Sequence, residues 1–230
     1  MTSIALIGPG RHGTAIAQLF ASHGVDVTLF HHRAPKAEAA VREVARVAAE
    51  GTTVVAAESL AAAADGQSLV VLSTLWNQPQ RAVISEIGQA LIGKVLLDVS
   101  NPLDVTPTGI VPRRPVEGSA GQFLAGLLPA GVGHAKAFSN LATAFINESA
   151  DLTPPAVLPF LADSAATAEV ARAHLALTGW LPWYAGDISR SRELEIGGRF
   201  NAMHGRYGRS RTDEQGMLEL DGPEKQVTPR

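Results

Sequence analysis

The chain has no cysteine. That removes disulfides, thiolate metal sites and cysteine nucleophiles at once. Charge is also sparse: 18% of the 230 residues are charged, and the formal net charge is −3. Without an excess of positive charge there is no global field to hold nucleic acid or anionic lipid, so neither is expected as a main partner. No unbroken apolar run reaches the roughly 20 residues that a membrane helix needs. The first residues lead directly into a short apolar run and a glycine loop, with no basic start and no cleavable apolar stretch. A cytoplasmic location is the expectation, although secreted proteins without cysteine are common. What is present is apolar. Hydrophobic residues make up 46% of the chain, which excludes a largely disordered protein and supplies a sizeable core.

Ile4-Ala5-Leu6-Ile7 is a short apolar run closed by Gly8, the pattern of a buried parallel strand. Gly8-Pro9-Gly10-Arg11-His12-Gly13 follows and fits G-x-G-x-x-G, and Ile16, Leu19 and Phe20 then recur at helical spacing. Strand, glycine loop and helix in this order are the context that a dinucleotide fingerprint requires. Gly8 allows the tight turn, Gly10 lets backbone amides approach a pyrophosphate, and Gly13 lets the helix pack close to the strand. The helix N-terminus offers the phosphates free N–H groups and a partial positive charge.

The second strand chooses the nucleotide. An NAD site usually carries Asp or Glu at its end, for the ribose 2′-hydroxyl. Here residues 25–30 are followed by His31-His32-Arg33 and then Lys36, and Asp26 lies too early in the strand. A basic cluster suits the extra 2′-phosphate, so NADP(H) is expected over NAD. Adjacent histidines point apart and have no third ligand nearby, so no metal site is expected there.

Further on, strands and helices alternate. Residues 35–50 read as a helix, with Glu38 and Arg42 as a solvated i,i+4 pair. Strands are expected at 53–55, 68–74 and 94–99, and helices at 59–64 and 78–91. This predicts an α/β fold with a doubly wound parallel Rossmann sheet. Ligands in such sheets lie beyond the carboxyl ends of the strands, which nominates residues 73–76 and 100–102. Residues 106–118, rich in Pro and Gly and containing Arg113-Arg114, read as a long loop. A helix over 121–128 and a sixth strand over 131–138 close a nucleotide-binding domain of residues 1–147. A small C-terminal α/β domain is expected over 156–204, with strands at 157–161 and 180–184, a helix at 164–177 and a last helix starting near Ser189. Trp180 and Trp183 alternate with apolar neighbours and read as core. The polar stretch 205–230 is expected to be loose or to lie on a partner subunit.

Several segments together resemble one family, the coenzyme F-420-dependent NADP oxidoreductases. They are G-x-x-G-x-x-G at residues 7–13 with Ile7 in the variant first position, the cluster His31-His32-Arg33 with Lys36, and Leu72-Ser73-Thr74-Leu75-Trp76. They continue with Asp98-Val99-Ser100-Asn101-Pro102-Leu103, Lys136-Ala137-Phe138-Ser139-Asn140, and Gly186-Asp187-Ile188-Ser189-Arg190-Ser191-Arg192 with Glu195 just after. The resemblance implies a Rossmann domain with a small C-terminal domain in a homodimer, and hydride transfer between NADPH and the deazaflavin F-420. It implies that Pro9, Gly10, Arg11 and His12 hold the pyrophosphate, and that His31, His32 and Lys36 hold the 2′-phosphate. Thr74, Leu75 and Asn101 would line the ribose and nicotinamide. Trp76, Ser139, Leu141, Ile188 and Arg192 would meet the acceptor. The family has Ser-Arg where this chain has His31-His32, Pro where it has Leu75, and in some members His where it has Ser139. Two of these differences touch the acceptor pocket, so an imine, carbonyl or flavin acceptor stays open, as does a non-catalytic NADP(H) sensor.

No catalytic acid–base pair stands out. Hydride transfer to a deazaflavin needs none, because the cofactor carries the chemistry and the protein supplies orientation and a dry pocket. Alcohol or hydroxy-acid dehydrogenases do need a positioned proton donor. Lys136 and His134, on one side of the sixth strand, are candidates for that part, but the plainer expectation is that both have solvated tips.

Overall fold

The structure, a computed structural model, describes residues 2–202. Its frame is set by segments with apolar side chains on both faces, which must be covered on both sides. β4 (Leu69–Leu72) and β5 (Val95–Asp98) are buried throughout, and β1 (Ser3–Ile7) is buried after its first residue. They form the middle of an eight-stranded sheet with β2 (Asp26–Phe30), β3 (Val54–Ala56), β8 (Gly133–Lys136), β9 (Val157–Ala162) and β10 (Leu181–Gly186). The order is β10-β9-β8-β5-β4-β1-β2-β3. From β3 to β8 every pair is parallel, which is the Rossmann order with its switch point between β1 and β4.

Period-2 alternation divides the core. Ile4 and Leu6 of β1 join one cluster with Ile16, Leu19 and Phe20 of α1 (Arg11–Ser22). Ala5 and Ile7 join the other, with Leu60 of α3 (Leu60–Ala64) and Val83, Ile84 and Ile87 of α4 (Gln78–Ile87). α2 (Ala34–Ala45) has Pro35 at its start, where the missing N–H costs nothing, and the exposed Glu38–Arg42 pair stands 4.0 Å apart. Side-chain caps start α3, α5 (Ala120–Ala125) and α7 (Ala165–Leu175). Ser59, Ser119 and Ser164 accept from Ala62, Gln122 and Thr167 N–H at 3.1, 3.0 and 3.2 Å.

Among the described residues the C-terminal segment builds no sheet of its own. β9 pairs antiparallel with β8, and β10 parallel with β9, so both extend the first sheet. Phe160, Leu161 and Trp183 lie in the same cluster as Ile4 and Phe20. Trp180 and Trp183 are core, as expected. Trp180 Nε1 donates to the Ile146 carbonyl at 3.0 Å, and Trp183 meets the Phe200 ring edge-on at 5.5 Å.

Two short elements depart from the sequence reading. Within the expected loop of 106–118, β7 (Gly109–Pro112) pairs antiparallel with β6 (Leu103–Thr106) as a separate hairpin. Pro and Gly there serve the turn, while Leu103, Val105, Ile110 and Pro112 share one apolar face. α6 (Thr143–Glu148) was not foreseen, because a six-residue helix with Ile146 as its one buried residue carries too little periodicity. The last helix is a 3-10 turn, Ile188–Arg190, running into α8 (Ser191–Leu194). The expected tail lies outside the described residues.

Because β9 and β10 share the core, a chain ending at residue 150 is expected to lose cooperative folding. Near-ultraviolet circular dichroism should show no sharp thermal transition for it, whereas the full chain should keep one.

Candidate dinucleotide site and adjoining cavity

The glycine loop joins β1 to α1 on the rim where β4 and β5 also end. Gly8 sits at φ +85°, and a Cβ there would lie 2.9 Å from the Ser73 carbonyl oxygen. A Cβ on Gly13 would lie 2.7 Å from the Gly8 carbonyl and 2.8 Å from Ser73 Oγ, so α1 rests directly on the ends of β1 and β4. Around Gly10 there is open space, with no atom within 4 Å of a Cβ. The first backbone bond of α1 runs from Thr14 N–H to the Gly10 carbonyl at 2.8 Å. The amides of Arg11, His12 and Gly13 are therefore outside the helical ladder and available to an anion.

Two cavities adjoin across this loop and share Gly10, Ser73, Thr74 and Leu75. One, of about 510 Å³, lies on the β2 side, between Gly8, Phe30, His31, His32, Leu60 and Val83, with Glu86 of α4 also in its wall. The other, of about 430 Å³, lies on the β5 side. Arg11, His12, Ser100, Asn101, Ser139, Thr143 and Asn201 supply its polar lining, and Val99, Leu103, Ile110, Leu141 and Ile196 much of its apolar lining. Thr74 Oγ1 and Ser139 Oγ are buried in these walls without a hydrogen-bond partner among the described residues. Buried polar atoms are normally paired, so the two hydroxyls have bonding capacity left for a ligand. With the space over Gly10 and the free helix amides, these walls fit a dinucleotide.

Side chains tie the smaller cavity together. His12 Nε2 donates to the Phe138 carbonyl at 3.3 Å, and its Nδ1 lies 3.1 Å from Thr143 Oγ1. Burial holds the His12 pKa below its usual value, so the ring is neutral near pH 7. Phe138 adopts φ +59°, a conformation that a non-glycine residue keeps only when its surroundings enforce it. Asn101 bridges two walls. Its Nδ2 donates to the Ser139 carbonyl at 2.8 Å, and its Oδ1 accepts Ile196 N–H at 2.7 Å.

At the β2 end the basic cluster forms. His31 and His32, expected to point apart, instead stack with ring centroids 4.3 Å apart. Partial burial, then repulsion from His32, Lys36 and Arg33, lowers the His31 pKa. Asp26 is occupied elsewhere, accepting Thr53 N–H at 2.6 Å. Lys36 lines a neighbouring depression with Pro9, Gly10 and Arg11, while Arg33 stands at the N-cap position of α2 without a side-chain cap and is exposed.

Three expected acceptor residues stand away from both cavities. Trp76 packs edge-on against Phe123 at 5.7 Å, with Arg81 over the same ring at 4.6 Å. Ile188 is buried in the 3-10 turn, and Arg192 is exposed on α8. Conversely, Leu103, Ile110, Thr143, Ile196 and Asn201 line the cavity and were not foreseen. The apolar alternation of the hairpin was the signal available for the first two. The expectation of solvated tips for Lys136 and His134 is overturned, since both are buried and lie among charged groups. Among the described residues no cluster of three metal-ligating side chains occurs, and no helix is long and apolar enough to cross a membrane.

Comparison with known proteins agrees with this geometry. Residues 3–97 match the profile of the NAD-dependent glycerol-3-phosphate dehydrogenase N-terminus. No curated protein matches the sequence. A hypothetical protein from Sinorhizobium meliloti superposes with a TM-score of 0.69 at 23% identity, covering 88% of this chain and 94% of its own. A proposed F-420-dependent NADP reductase from an Arthrobacter species superposes with a TM-score of 0.64 at 24% identity, covering 84% and 88%. A reductive aminase from Aspergillus terreus, solved with NADPH and ethyl levulinate, gives 0.55 at 21% identity, with 96% of this chain covering 62% of that one. At such identities the likeness is one of fold. The fold and the fingerprint define the chain as a Rossmann protein of the dinucleotide-binding type.

Two outcomes follow from the site's packing. Gly13→Ala forces a carbon into the Gly8 and Ser73 contacts and should cost about 2 kcal/mol of stability, read by urea denaturation. His134 is buried with its pKa lowered to about 4 from 6.5, first by desolvation. The unfolded chain therefore binds the extra proton between these values. The stability that a neutral His134 supplies is complete above about pH 6.5 and is lost as pH falls toward about 4, by on the order of 3 kcal/mol. Denaturation of wild type and His134→Leu across that range should differ by this slope.

Proposed function

We propose that the chain is an NADP-dependent oxidoreductase that moves hydride between NADPH and coenzyme F-420 or a similar planar acceptor. The observation that carries the cofactor choice is the stacked His31–His32 pair on the wall of the β2-side cavity, where an NAD site would have its carboxylate. Bound NADPH would supply the hydride. The residues of this chain bind and orient it. His31 and His32 meet the 2′-phosphate from the cavity wall, with Lys36 adding charge from the far side of the loop. The amides of Arg11, His12 and Gly13 meet the pyrophosphate. Thr74, Leu75 and Asn101 line the path from ribose to nicotinamide.

The β5-side cavity supports an acceptor beside the nicotinamide, which favours an enzyme over a nucleotide sensor. Leu103 and Ile110 of the hairpin, with Leu141 and Ile196, give it apolar walls that exclude water from a flat ring. No carboxylate lines it among the described residues, and its histidine is neutral and engaged at both nitrogens. That suits an acceptor needing little proton help. The resemblance to the F-420-dependent oxidoreductases supports the same reading, and the homodimer that it implies belongs to this proposal. Imine reductase and reductive aminase neighbours keep a second reading, reduction of an imine or carbonyl.

The test is to mix the protein with oxidised F-420 and either NADPH or NADH and to follow loss of the deazaflavin absorbance. Fast bleaching with NADPH and little with NADH is expected. NADPH bound by calorimetry without bleaching would overturn the deazaflavin and leave the imine or carbonyl reading. Replacing both His31 and His32 by Ala should weaken NADPH about tenfold per charge-assisted bond lost, with NADH unchanged. Gly10→Ala meets no protein atom and should leave thermal stability intact while abolishing NADPH binding.

A further inference from the structure

Behind the β5-side cavity lies a buried ion cluster that the proposed chemistry does not use. Lys136 Nζ, fully buried, lies 2.7 Å from Asp98 Oδ2, 2.7 Å from the Ser100 carbonyl and 3.4 Å from Glu195 Oε1. Asp98 Oδ1 accepts Ser100 N–H at 2.8 Å, and Gln80 of α4 donates to Ser100 Oγ at 3.1 Å. Glu195 accepts the N–H groups of Ala120 and Gly121, at the start of α5, at 3.2 and 3.0 Å. His134, whose Nε2 lies 4.0 Å from Asp98 Oδ2, is held neutral by burial, so Lys136 is the cation of the group.

Such a cluster is a poor way to gain stability. Desolvation of buried charges is repaid only when every partner is well placed, and apolar packing often does as well. What it supplies is direction. The three acceptors of Lys136 come from β5, from the loop after β5 and from the C-terminal segment. These acceptors adjoin the cavity wall in the chain: Ser100 and Asn101 follow Asp98, and Ile196 follows Glu195, the two sides already joined by the Asn101–Ile196 bond. None of Lys136, Asp98 and Glu195 lines the cavity itself.

We propose that Lys136 is a positioning residue for the nicotinamide half of the cofactor, fixing the Ser100–Asn101 and Ile196 walls through Asp98 and Glu195 without touching the ligand. The inference rests on the NADP(H) reading above. In a Rossmann site the adenosine half lies at the β2 end, remote from this cluster. Loosening the wall therefore weakens the whole dinucleotide and spares its adenosine fragment.

The experiment measures binding of NADPH and of adenosine 2′,5′-bisphosphate by calorimetry to wild type, Lys136→Met and Glu195→Gln, with thermal melts alongside. Lys136→Met should lose about tenfold in NADPH affinity, with the fragment unchanged within about twofold. Glu195→Gln keeps one acceptor oxygen, enough for one of the Ala120 and Gly121 N–H groups, and removes the negative charge beside Lys136; it should show a smaller loss with the same selectivity. If Lys136→Met does not fold, Glu195→Gln decides alone. Equal losses for both ligands, or none, would overturn the positioning role while leaving the cofactor reading intact. A wild type that binds neither ligand would overturn both.

Discussion

Between Gly13 and the Gly8 carbonyl there is no room for a side-chain carbon, and the cleft depends on that contact. It lets the first turn of α1 settle on the ends of β1 and β4, so that three free amides point out at the rim where the parallel strands finish. The opposite condition holds three residues earlier. Gly10 has empty space where a side chain would be, and an approaching phosphate needs that space. One glycine is required by crowding and the other by vacancy. Only the pair, with the φ of Gly8 turning the chain just ahead of them, converts a strand end into an anion site.

The sheet carries this geometry further than a separate Rossmann domain would. β9 and β10 continue the same sheet, and α8 with the residues after it returns to the loops beyond β5 and β8. Asn101, Asn201 and Ile196 then meet around the Ser139 carbonyl and the cavity wall. The C-terminal segment is thus both a structural edge and one side of the cavity. A wall assembled from distant chain segments needs directional bonds, and the buried Lys136 group supplies them where apolar packing could not choose among neighbouring registers.

The parts of this arrangement legible in the sequence are those with local causes. The fingerprint, the doubly wound order and the basic residues after β2 each follow from a short pattern with one physical reading. The core placement of Trp180 and Trp183 was read from their apolar neighbours. Residues whose role depends on contacts far along the chain were not legible. Lys136 and His134 alternate as residues with solvated tips would, yet α5 packs over Lys136 at Gly121 and Glu195 returns to close on it. Trp76 stands at a strand end, which suggested the pocket, yet Phe123 of α5 draws it away. The hairpin was obscured by Pro and Gly, which mark its turn and end as readily as they mark a loop.

That hairpin bears on the acceptor. A two-stranded ribbon is marginal alone, and the apolar face of Leu103, Val105, Ile110 and Pro112 gains only if something covers it. Leu103 and Ile110 reach the β5-side cavity, yet Ile110 and Val105 are each 64% exposed. A small polar substrate would leave that face wet. A planar conjugated ring lying between the nicotinamide end of the cleft and the ribbon would cover it and be desolvated by it. The same ring would need no acid or base from walls that provide a neutral, fully engaged histidine. On the proposed reading, the apolar face and the absence of a lining carboxylate among the described residues fit a broad, flat acceptor better than a hydroxy acid, whose reduction needs a positioned proton donor.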